Sequence, residues 1–172
     1  SHLESHWYRY LILSSFDHFH SCKGHLYKKC LSLLRYILAE NVKNIEEIEK
    51  CPNYQARVIK NVKVGESPEW LINRLNTIGQ KTINNVVDAA NYIMFDLGQP
   101  LHTFDYDKIS NKTINVGFAK KGEIVNTLDG NENVLDSCNL VISDAKKVLA
   151  VAGVMGCQNS CVNDHTKNIL LE

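Results

Sequence analysis

The residues on either side of Pro100 follow two different periodicities, and this change constrains the fold more than any other feature of the chain. Before it, Asn85–Gly98 carries apolar residues at three- and four-residue steps, with Asn84 or Asn85 as a predicted cap and a glycine as a predicted stop. After it, short β-branched or apolar runs such as Leu140–Ser143 are punctuated by turn residues. Helices followed by a strand-rich half predict an α+β fold.

Two further elements are predicted upstream. Tyr54–Val64 alternates in the manner of a half-buried strand. Ser67, followed by Pro68, is typical of a helix start, and Gly79 of a helix end. The predicted buried residues of these two helices are Leu71, Leu75 and Ile78 in the first, and Val86, Val87, Ala90, Ile93, Met94 and Leu97 in the second.

The first 50 residues are predicted to form a separate N-terminal segment. Apolar residues at helical spacing predict one amphipathic helix at about 25–42, and the charged run Lys43–Lys50 is interpreted as a linker or a solvated helix end. After the helices, the predicted strands are Thr113–Phe118, Leu140–Ser143 and Val148–Val154.

Composition narrows the classes of function. Lysine plus arginine and aspartate plus glutamate both count 19 in the 172 residues, so RNA contact would have to be local or supplied by other domains. The six cysteines lack the dense spacing of a secreted scaffold, and we expect them to be reduced in a cytoplasmic protein. The apolar run Trp7–Phe16 falls short of the ~20 residues of a membrane helix, so no membrane partner is predicted. No phosphate-binding glycine motif occurs, and ATP chemistry is not expected in this chain.

Several particular motifs occur in one order along the chain. They are CPNYQARVIKNVKVG at Cys51–Gly65, SPEWLINRL at Ser67–Leu75, INNVVDAANYIMFDLGQPLHTFD at Ile83–Asp105, TLDG at Thr127–Gly130, LAVAGVMG at Leu149–Gly156 and NILLE at Asn168–Glu172. Together they closely resemble the editing domain of the bacterial phenylalanyl-tRNA synthetase beta subunit. The resemblance implies helices flanking a sandwich-like β-sheet core, and it makes residues 51–172 a truncated editing domain within a beta-chain fragment.

The resemblance also implies an activity and its partners. In this family the beta subunit hydrolyses mischarged tyrosyl-tRNA(Phe), and it assembles with the alpha subunit as a heterotetramer of two alpha and two beta chains. The implied cofactors, ATP and Mg²⁺, belong to the alpha subunit, and none is expected in this chain. Because the family closes the pocket with a later segment that is absent here, the chain alone is expected to be a weak or inactive editor.

Two side chains dominate the implied site. The resemblance places Glu172 where a carboxylate accepts a hydrogen bond from the tyrosine phenol, although its residue type and position fit a charged strand end equally. His102, in GQPLH, lies at a position that lines the pocket, and its near-neutral pKa of about 6.5 when unperturbed would suit water positioning or proton transfer. A lone loop histidine is also a common structural donor.

Further site residues follow from the same motifs. Asn91 has poor helix propensity for a mid-helix position, so its amide either joins His102 in catalysis or pins the helix. The glycines of AGVMG allow backbone to approach a ligand, or equally allow tight sheet packing. The residues implied to bind substrate are Glu172, Ala90, Pro100, Gly153, Met155 and Gly156.

The sequence departs from the family pattern at three positions. Ala90 stands where relatives usually have threonine, and Cys157 and Cys161 replace a glycine and a glutamate. Cys157, Cys161 and His165 recur every fourth residue, so a zinc site is a rival hypothesis, as is one from His18, His20 and Cys22. A third hypothesis is a non-catalytic scaffold that contacts tRNA or the alpha subunit.

Overall fold

The computed structural model describes residues 36–38, 42–45 and 49–172, and for the two shorter stretches it describes the backbone alone. In chain order the elements of these ranges are β1 (Tyr36–Leu38), β2 (Val42–Ile45), β3 (Arg57–Lys60), α1 (Glu69–Thr77), α2 (Asn85–Leu97), β4 (Thr103–Asp105), 3-10 turns at Tyr106–Lys108 and Ser110–Lys112, β5 (Ile114–Phe118), β6 (Ile124–Asn126), β7 (Glu132–Val134), β8 (Leu140–Ser143), β9 (Val148–Val151), β10 (Met155–Gly156), a 3-10 turn at Gln158–Ser160, and β11 (Asn168–Leu171).

Two β-sheets form the centre of the fold. The first has the strand order β1-β3-β11-β4 and is antiparallel throughout, and the second has the order β10-β9-β8-β5-β2, in which only β2 and β5 run parallel. One buried cluster draws side chains from both sheets. Its members are Val58, Phe104 and Leu170 from the first sheet, Ile114, Val116, Ile142, Leu149 and Ala150 from the second, and Ile109 from the connection after β4. This face-to-face packing confirms the predicted α+β fold with a sandwich-like core.

A smaller cluster lies where the β6–β7 hairpin meets the second sheet. It is formed by Ala119, Val125, Leu135, Val141, Val148 and Cys157. The hairpin pairs only with itself, but an isolated bridge between Thr127 and Cys157 ties its connecting loop to the segment after β10. This bridge brings the TLDG turn beside the glycine-containing strand β10.

A side-chain cap and two left-handed glycines fix the helix ends. The Asn84 side chain accepts hydrogen bonds from the backbone N–H groups of Val86 and Val87, at 3.1 and 3.0 Å, which confirms Asn84 as the cap of α2. Gly98 ends that helix at φ 71°, and Gly79 follows α1 at φ 76°, both in the left-handed region. The two predicted glycine stops are therefore confirmed.

The predicted cap of α1 is wrong. Pro68 is the N-cap residue and makes no side-chain capping bond, while the Ser67 hydroxyl donates to the buried Asp88 carboxylate of α2 at 2.5 Å. The same carboxylate accepts from the Ile83 N–H at 2.8 Å. The buried Asp88 carboxylate is an acceptor that needs hydrogen-bond donors. The Ser67 hydroxyl therefore bonds to Asp88 instead of capping α1.

Some predicted burial patterns are also wrong. Ile78 and Leu97 are about half exposed because each lies at the end of its helix. Strand β3 is shorter than the predicted Tyr54–Val64, and both Val58 and Ile59 are buried. Because neighbouring side chains of a strand point to opposite faces, both faces of the first sheet are covered at this point.

The predicted helix at about 25–42 is wrong over its described part. Strand β1 pairs with β3, and β2 pairs with β5, so the backbone there bonds to the edges of the two sheets. Short apolar runs do not distinguish helix from strand by periodicity, and an available sheet edge decides between them. Strand β2 also overlaps the predicted linker Lys43–Lys50. Residues 25–35 and 39–41 of the predicted helix, and residues 46–48 of the predicted linker, lie outside the described residues.

Across the described ranges, no helix combines the length and apolar character needed to cross a membrane.

Candidate functional site

The ends of β4 and β11 bring His102 and Glu172 together. Thr103 pairs with Leu171 as the last residue pair of the two antiparallel strands. One position further, the His102 N–H donates to the Glu172 carbonyl at 3.3 Å, and the Glu172 N–H donates to the His102 carbonyl at 3.0 Å. The two residues are 70 positions apart in the chain numbering (172 − 102), yet they are neighbours on adjacent backbones.

A phenol occupies one side of the Glu172 carboxylate. The Tyr54 hydroxyl donates a hydrogen bond to Glu172 Oε2. Desolvation raises the pKa of the Glu172 carboxyl to about 7, although the Tyr54 hydrogen bond acts in the opposite direction. Desolvation and the nearby carboxylate hold the pKa of Tyr54 well above its usual value. Desolvation, and to a smaller extent Glu172, also raises the pKa of Cys51.

This raised pKa predicts a pH-dependent stability. Between about pH 4.5 and pH 7 the unfolded chain releases the Glu172 proton while the folded chain keeps it, so folding becomes less favourable as pH rises. The free energy of unfolding is expected to fall by up to about 3 kcal/mol from this residue and to level off above pH 7.

The measurement is urea unfolding of the chain and its Glu172→Gln variant from pH 4.5 to 8. The lowered pKa of His102 acts in the opposite direction, since its folded form releases the proton more readily than its unfolded form. Only the difference between wild type and variant therefore isolates Glu172. Parallel stability curves for the two proteins would show that Glu172 ionises normally.

His102 presents a neutral imidazole beside this carboxylate. Desolvation lowers its pKa, and its ring packs edge-on against Phe104 with centroids 4.6 Å apart. None of the described residues forms a side-chain hydrogen bond with the ring. Within the described part of the chain, the imidazole is thus held by packing and by its backbone, and its nitrogens have no side-chain partner there.

Gly156 of β10 lies directly against the imidazole. A methyl group built on Gly156 would come within 2.6 Å of His102 Cε1 and Nε2, and within 3.1 Å of Leu128 Cδ1. The Leu128 N–H donates to the Gly156 carbonyl at 3.0 Å. Glycine leaves room for the His102 ring at this position, because the backbone of β10 and the ring occupy adjoining space.

Replacing Gly156 with alanine is expected to displace the His102 ring rather than unfold the chain. The clashing atoms belong to the end of one side chain, which can rotate, so we expect a loss of stability of only about 1–2 kcal/mol. The chemical shifts of the His102 ring, measured by NMR, should change strongly. Gly65→Ala is the matched control, because nothing lies within 4 Å of a methyl group there. Unchanged His102 shifts in Gly156→Ala would contradict the contact.

The structure brings some of the predicted site residues together and leaves others apart. His102 contacts both Glu172, through backbone hydrogen bonds, and Gly156, through its ring. Asn91 and the buried Ala90 lie on α2, and the described residues give the Asn91 amide no hydrogen bond with His102 or Glu172. The remaining predicted residues are exposed: Pro100 before His102, Gly153 at φ 69° in the β9–β10 turn, and Met155 at the start of β10.

The β9–β10 turn restricts where an oxyanion could bind. If the backbone around Gly153–Gly156 approaches the ligand, its N–H groups are the expected donors to an oxyanion. The Val154 N–H already donates to the Val151 carbonyl at 3.0 Å, and the Cys157 N–H donates to the Leu149 carbonyl at 2.8 Å. Any oxyanion donor in this segment must therefore come from another of its N–H groups.

Sequence reasoning missed Tyr54 and Leu128 as members of this group. Tyr54 was interpreted only as the start of a strand. A buried phenol needs a hydrogen-bond partner, and that requirement is the one signal that could have singled it out. No local pattern points to Leu128, which reaches Gly156 through the hairpin loop.

The rival zinc hypothesis finds no support in the described residues, where no three histidine, cysteine or acidic residues are grouped as metal ligands. Cys157 is buried in the smaller cluster, whereas His165 is exposed and its N–H bonds to the Asn163 side chain. The other proposed ligands, His18, His20 and Cys22, lie outside the described residues.

Comparison with known proteins identifies the family of this chain. The sequence model of the B3/4 domain matches residues 50–172. The chain belongs to the B3/4 domain family. The phenylalanine–tRNA ligase beta subunit of Protochlamydia amoebophila is 50% identical over 129 residues, and that of Geobacter sulfurreducens is 47% identical over 128 residues. The recognition of the beta-subunit family from the sequence motifs is confirmed.

This B3/4 domain also resembles a solved structure. An N-terminal fragment of the phenylalanyl-tRNA synthetase beta subunit from Pyrococcus horikoshii superposes with a TM-score of 0.58 over 81% of this chain and 45% of that fragment. At 16% identity the resemblance concerns the fold alone. The two sequence relatives cover 75% and 74% of this chain, but the chain spans only 16% of the length of each of them.

Proposed function

We propose that this B3/4 domain is the editing domain of a phenylalanine–tRNA ligase beta subunit and that it hydrolyses tyrosyl-tRNA(Phe). The observation that carries the proposal is the Glu172 carboxylate, which already accepts a phenol hydrogen bond and lies beside the neutral imidazole of His102. A carboxylate of this kind suits recognition of the single group that distinguishes tyrosine from phenylalanine.

The physical need for such a site is clear. An activation pocket shaped for phenylalanine rejects an analogue that merely adds a hydroxyl by only about 10²-fold. A second site that requires the hydroxyl can discriminate by about 10⁴–10⁵, because phenylalanine would leave its polar group unpaired. Oε1 of Glu172, the carboxylate oxygen that Tyr54 does not bind, is the group that would remain unpaired here.

The proposed reaction is ester hydrolysis by water. The water oxygen forms a bond to the tyrosyl carbonyl carbon, the bond from that carbon to the ribose oxygen breaks, and the proton taken from the water passes to the leaving ribose oxygen, which becomes a hydroxyl. Neutral His102 would hold the attacking water through a ring nitrogen and accept its proton. Asn91 is the second proposed catalytic residue, and it would reach the ester from α2.

The proposal includes the assembled enzyme. The beta chain would pair with an alpha subunit in a heterotetramer of two alpha and two beta chains, bind tRNA(Phe), and act in the cytoplasm without a membrane partner. Amino-acid activation with ATP and Mg²⁺ would belong to the alpha subunit, and hydrolysis at Glu172 and His102 would need no cofactor. Substrate contacts would come from Ala90, Pro100, Gly153, Met155 and Gly156.

The test is hydrolysis of preformed tyrosyl-tRNA(Phe) and phenylalanyl-tRNA(Phe) by a full-length beta subunit that contains this sequence, assembled with its alpha subunit. We expect release of tyrosine to be much faster than release of phenylalanine. Equal, uncatalysed rates with both esters, together with retained tRNA binding, would favour a scaffold that contacts tRNA or the alpha subunit.

A further inference from the structure

We propose that Tyr54 is a positioning residue for substrate specificity: its phenol fixes one oxygen of the Glu172 carboxylate and leaves the other oxygen to select a ligand that carries a second phenol. This inference rests on the proposed function for the identity of the ligand. It adds a role for a residue that has no part in the hydrolysis itself.

The topology places Tyr54 at this point. Strands β3 and β11 are antiparallel, and their last aligned pair is Arg57 with Leu171. The residues just before β3 therefore run beside the residue just after β11. Tyr54 and Cys51 also pack against the main cluster of the sandwich, which holds the phenol in place while Glu172 is held by its backbone bonds to His102.

The hydrogen bonds made by the described residues leave one oxygen of the Glu172 carboxylate available. Tyr54 donates to Oε2, and none of the described residues donates to Oε1. A carboxylate offers about four lone-pair sites on its two oxygens, so one phenol does not saturate it. With Oε2 fixed, Oε1 has a defined direction, and a ligand hydroxyl can bind it without reorganising the side chain.

The Tyr54 bond also supports the charge that selection requires. An ionised carboxylate is acceptor-only, so it gains from a tyrosine phenol and gains nothing from a phenylalanine ring. Desolvation favours the neutral acid, and the phenol donation opposes it. The other groups that bear on this balance are the Cys51 thiol and the neighbouring imidazole of His102. Without Tyr54, the carboxyl would be protonated over a wider pH range and could itself become a donor.

The experiment measures binding of L-tyrosinamide and L-phenylalaninamide to the 172-residue chain by NMR titration at pH 8. These probes carry the two side chains but no hydrolysable ester. We expect the wild-type chain to prefer tyrosinamide and Tyr54→Phe to lower that preference about tenfold or more, because a hydrogen bond to a charged group is lost. In Tyr54→Phe, the remaining preference for tyrosinamide should also appear only at a higher pH than it does in the wild-type chain.

Two further variants separate positioning from simple structural support. Tyr54→Phe should change the preference by less than about twofold when Glu172 is already glutamine, because the coupling acts through the charge. Tyr92→Phe is the matched control: its hydroxyl accepts from Arg74 Nη1 at 2.8 Å on the helical surface, and its loss should leave the preference unchanged. Amide spectra of each variant establish that the fold is retained.

The outcomes are distinct for the two proposals. A wild-type chain without preference for tyrosinamide, an undiminished preference in Tyr54→Phe, or an equal loss in the Glu172→Gln background would overturn the role of Tyr54. A Tyr54-dependent preference in the 172-residue chain, together with an assembled enzyme that does not hydrolyse tyrosyl-tRNA(Phe), would support phenol recognition and overturn editing.

Discussion

Replacing Glu172 with alanine is expected to lower the preference of the assembled enzyme for tyrosyl-tRNA(Phe) over phenylalanyl-tRNA(Phe) by about 10²–10⁴, measured as the ratio of the two kcat/KM values for hydrolysis. The reason is that Oε1 of this carboxylate is the acceptor that phenylalanine would leave unpaired, while Oε2 keeps its bond from Tyr54. Charging of tRNA(Phe) with phenylalanine should be unaffected, because activation is proposed to occur in the alpha subunit.

This substitution also removes the partner of Tyr54, and a partly buried phenol without an acceptor costs up to about 1–3 kcal/mol. Glu172→Gln, which keeps an acceptor oxygen and the side-chain volume, separates loss of stability from loss of charge. Glu132→Ala, on the exposed strand β7, is the control for removal of a carboxylate elsewhere. An unchanged ratio of kcat/KM values in both Glu172 variants would refute the assignment.

Local chemistry explains the features of the fold that could be predicted. Asn84 caps α2 through bonds that span two and three residues, and Gly98 ends it through its own backbone conformation. Such contacts are contained in a few neighbouring residues, so the sequence reports them directly. The strand Leu140–Ser143 was likewise predicted with its observed bounds, because turn residues flank it on both sides.

Competition from tertiary contacts explains the features of the fold that could not be predicted. Ser67 has the residue type and position of a cap, yet Asp88, 21 residues further on, takes its hydroxyl. The apolar run at β1 fits a helix by spacing, and only the free edge of β3 makes it a strand. In each case a distant partner offers a bond that the local pattern does not contain.

The same distinction applies to the site. His102 and Glu172 were found through motif resemblance, and their adjacency follows from the pairing of β4 with β11. Tyr54 lies 118 positions from Glu172, so no spacing rule could join them. The predicted role of Asn91 is not decided by its hydrogen bonds, and the site assignments stay predictions until the variants are measured.

Replacing His102 with alanine is expected to slow hydrolysis of tyrosyl-tRNA(Phe) by about 10²–10⁴, the range for loss of a general base or of the water it holds. Because burial lowers the pKa of His102, the imidazole stays neutral to a pH below its usual pKa of about 6.5, and kcat/KM of the wild-type enzyme for phenylalanyl-tRNA(Phe), which makes no use of the Glu172 charge, should fall only below that pH. The preference for tyrosine should instead weaken below about pH 7, where Glu172 gains its proton. His102→Ala should remove the fall of the rate at low pH and keep the loss of tyrosine preference below about pH 7.

The two groups can therefore be separated by one set of measurements, in which kcat/KM for both esters is followed from pH 5 to 8 in the wild type and in His102→Ala. His165→Ala is the matched control, because that imidazole is exposed and lies on the loop before β11. His102→Asn retains a polar group that could still hold a water, so partial activity in this variant would assign water positioning rather than proton transfer. Hydrolysis by His102→Ala at the wild-type rate would remove His102 from the mechanism and leave water activation to another group beside Glu172.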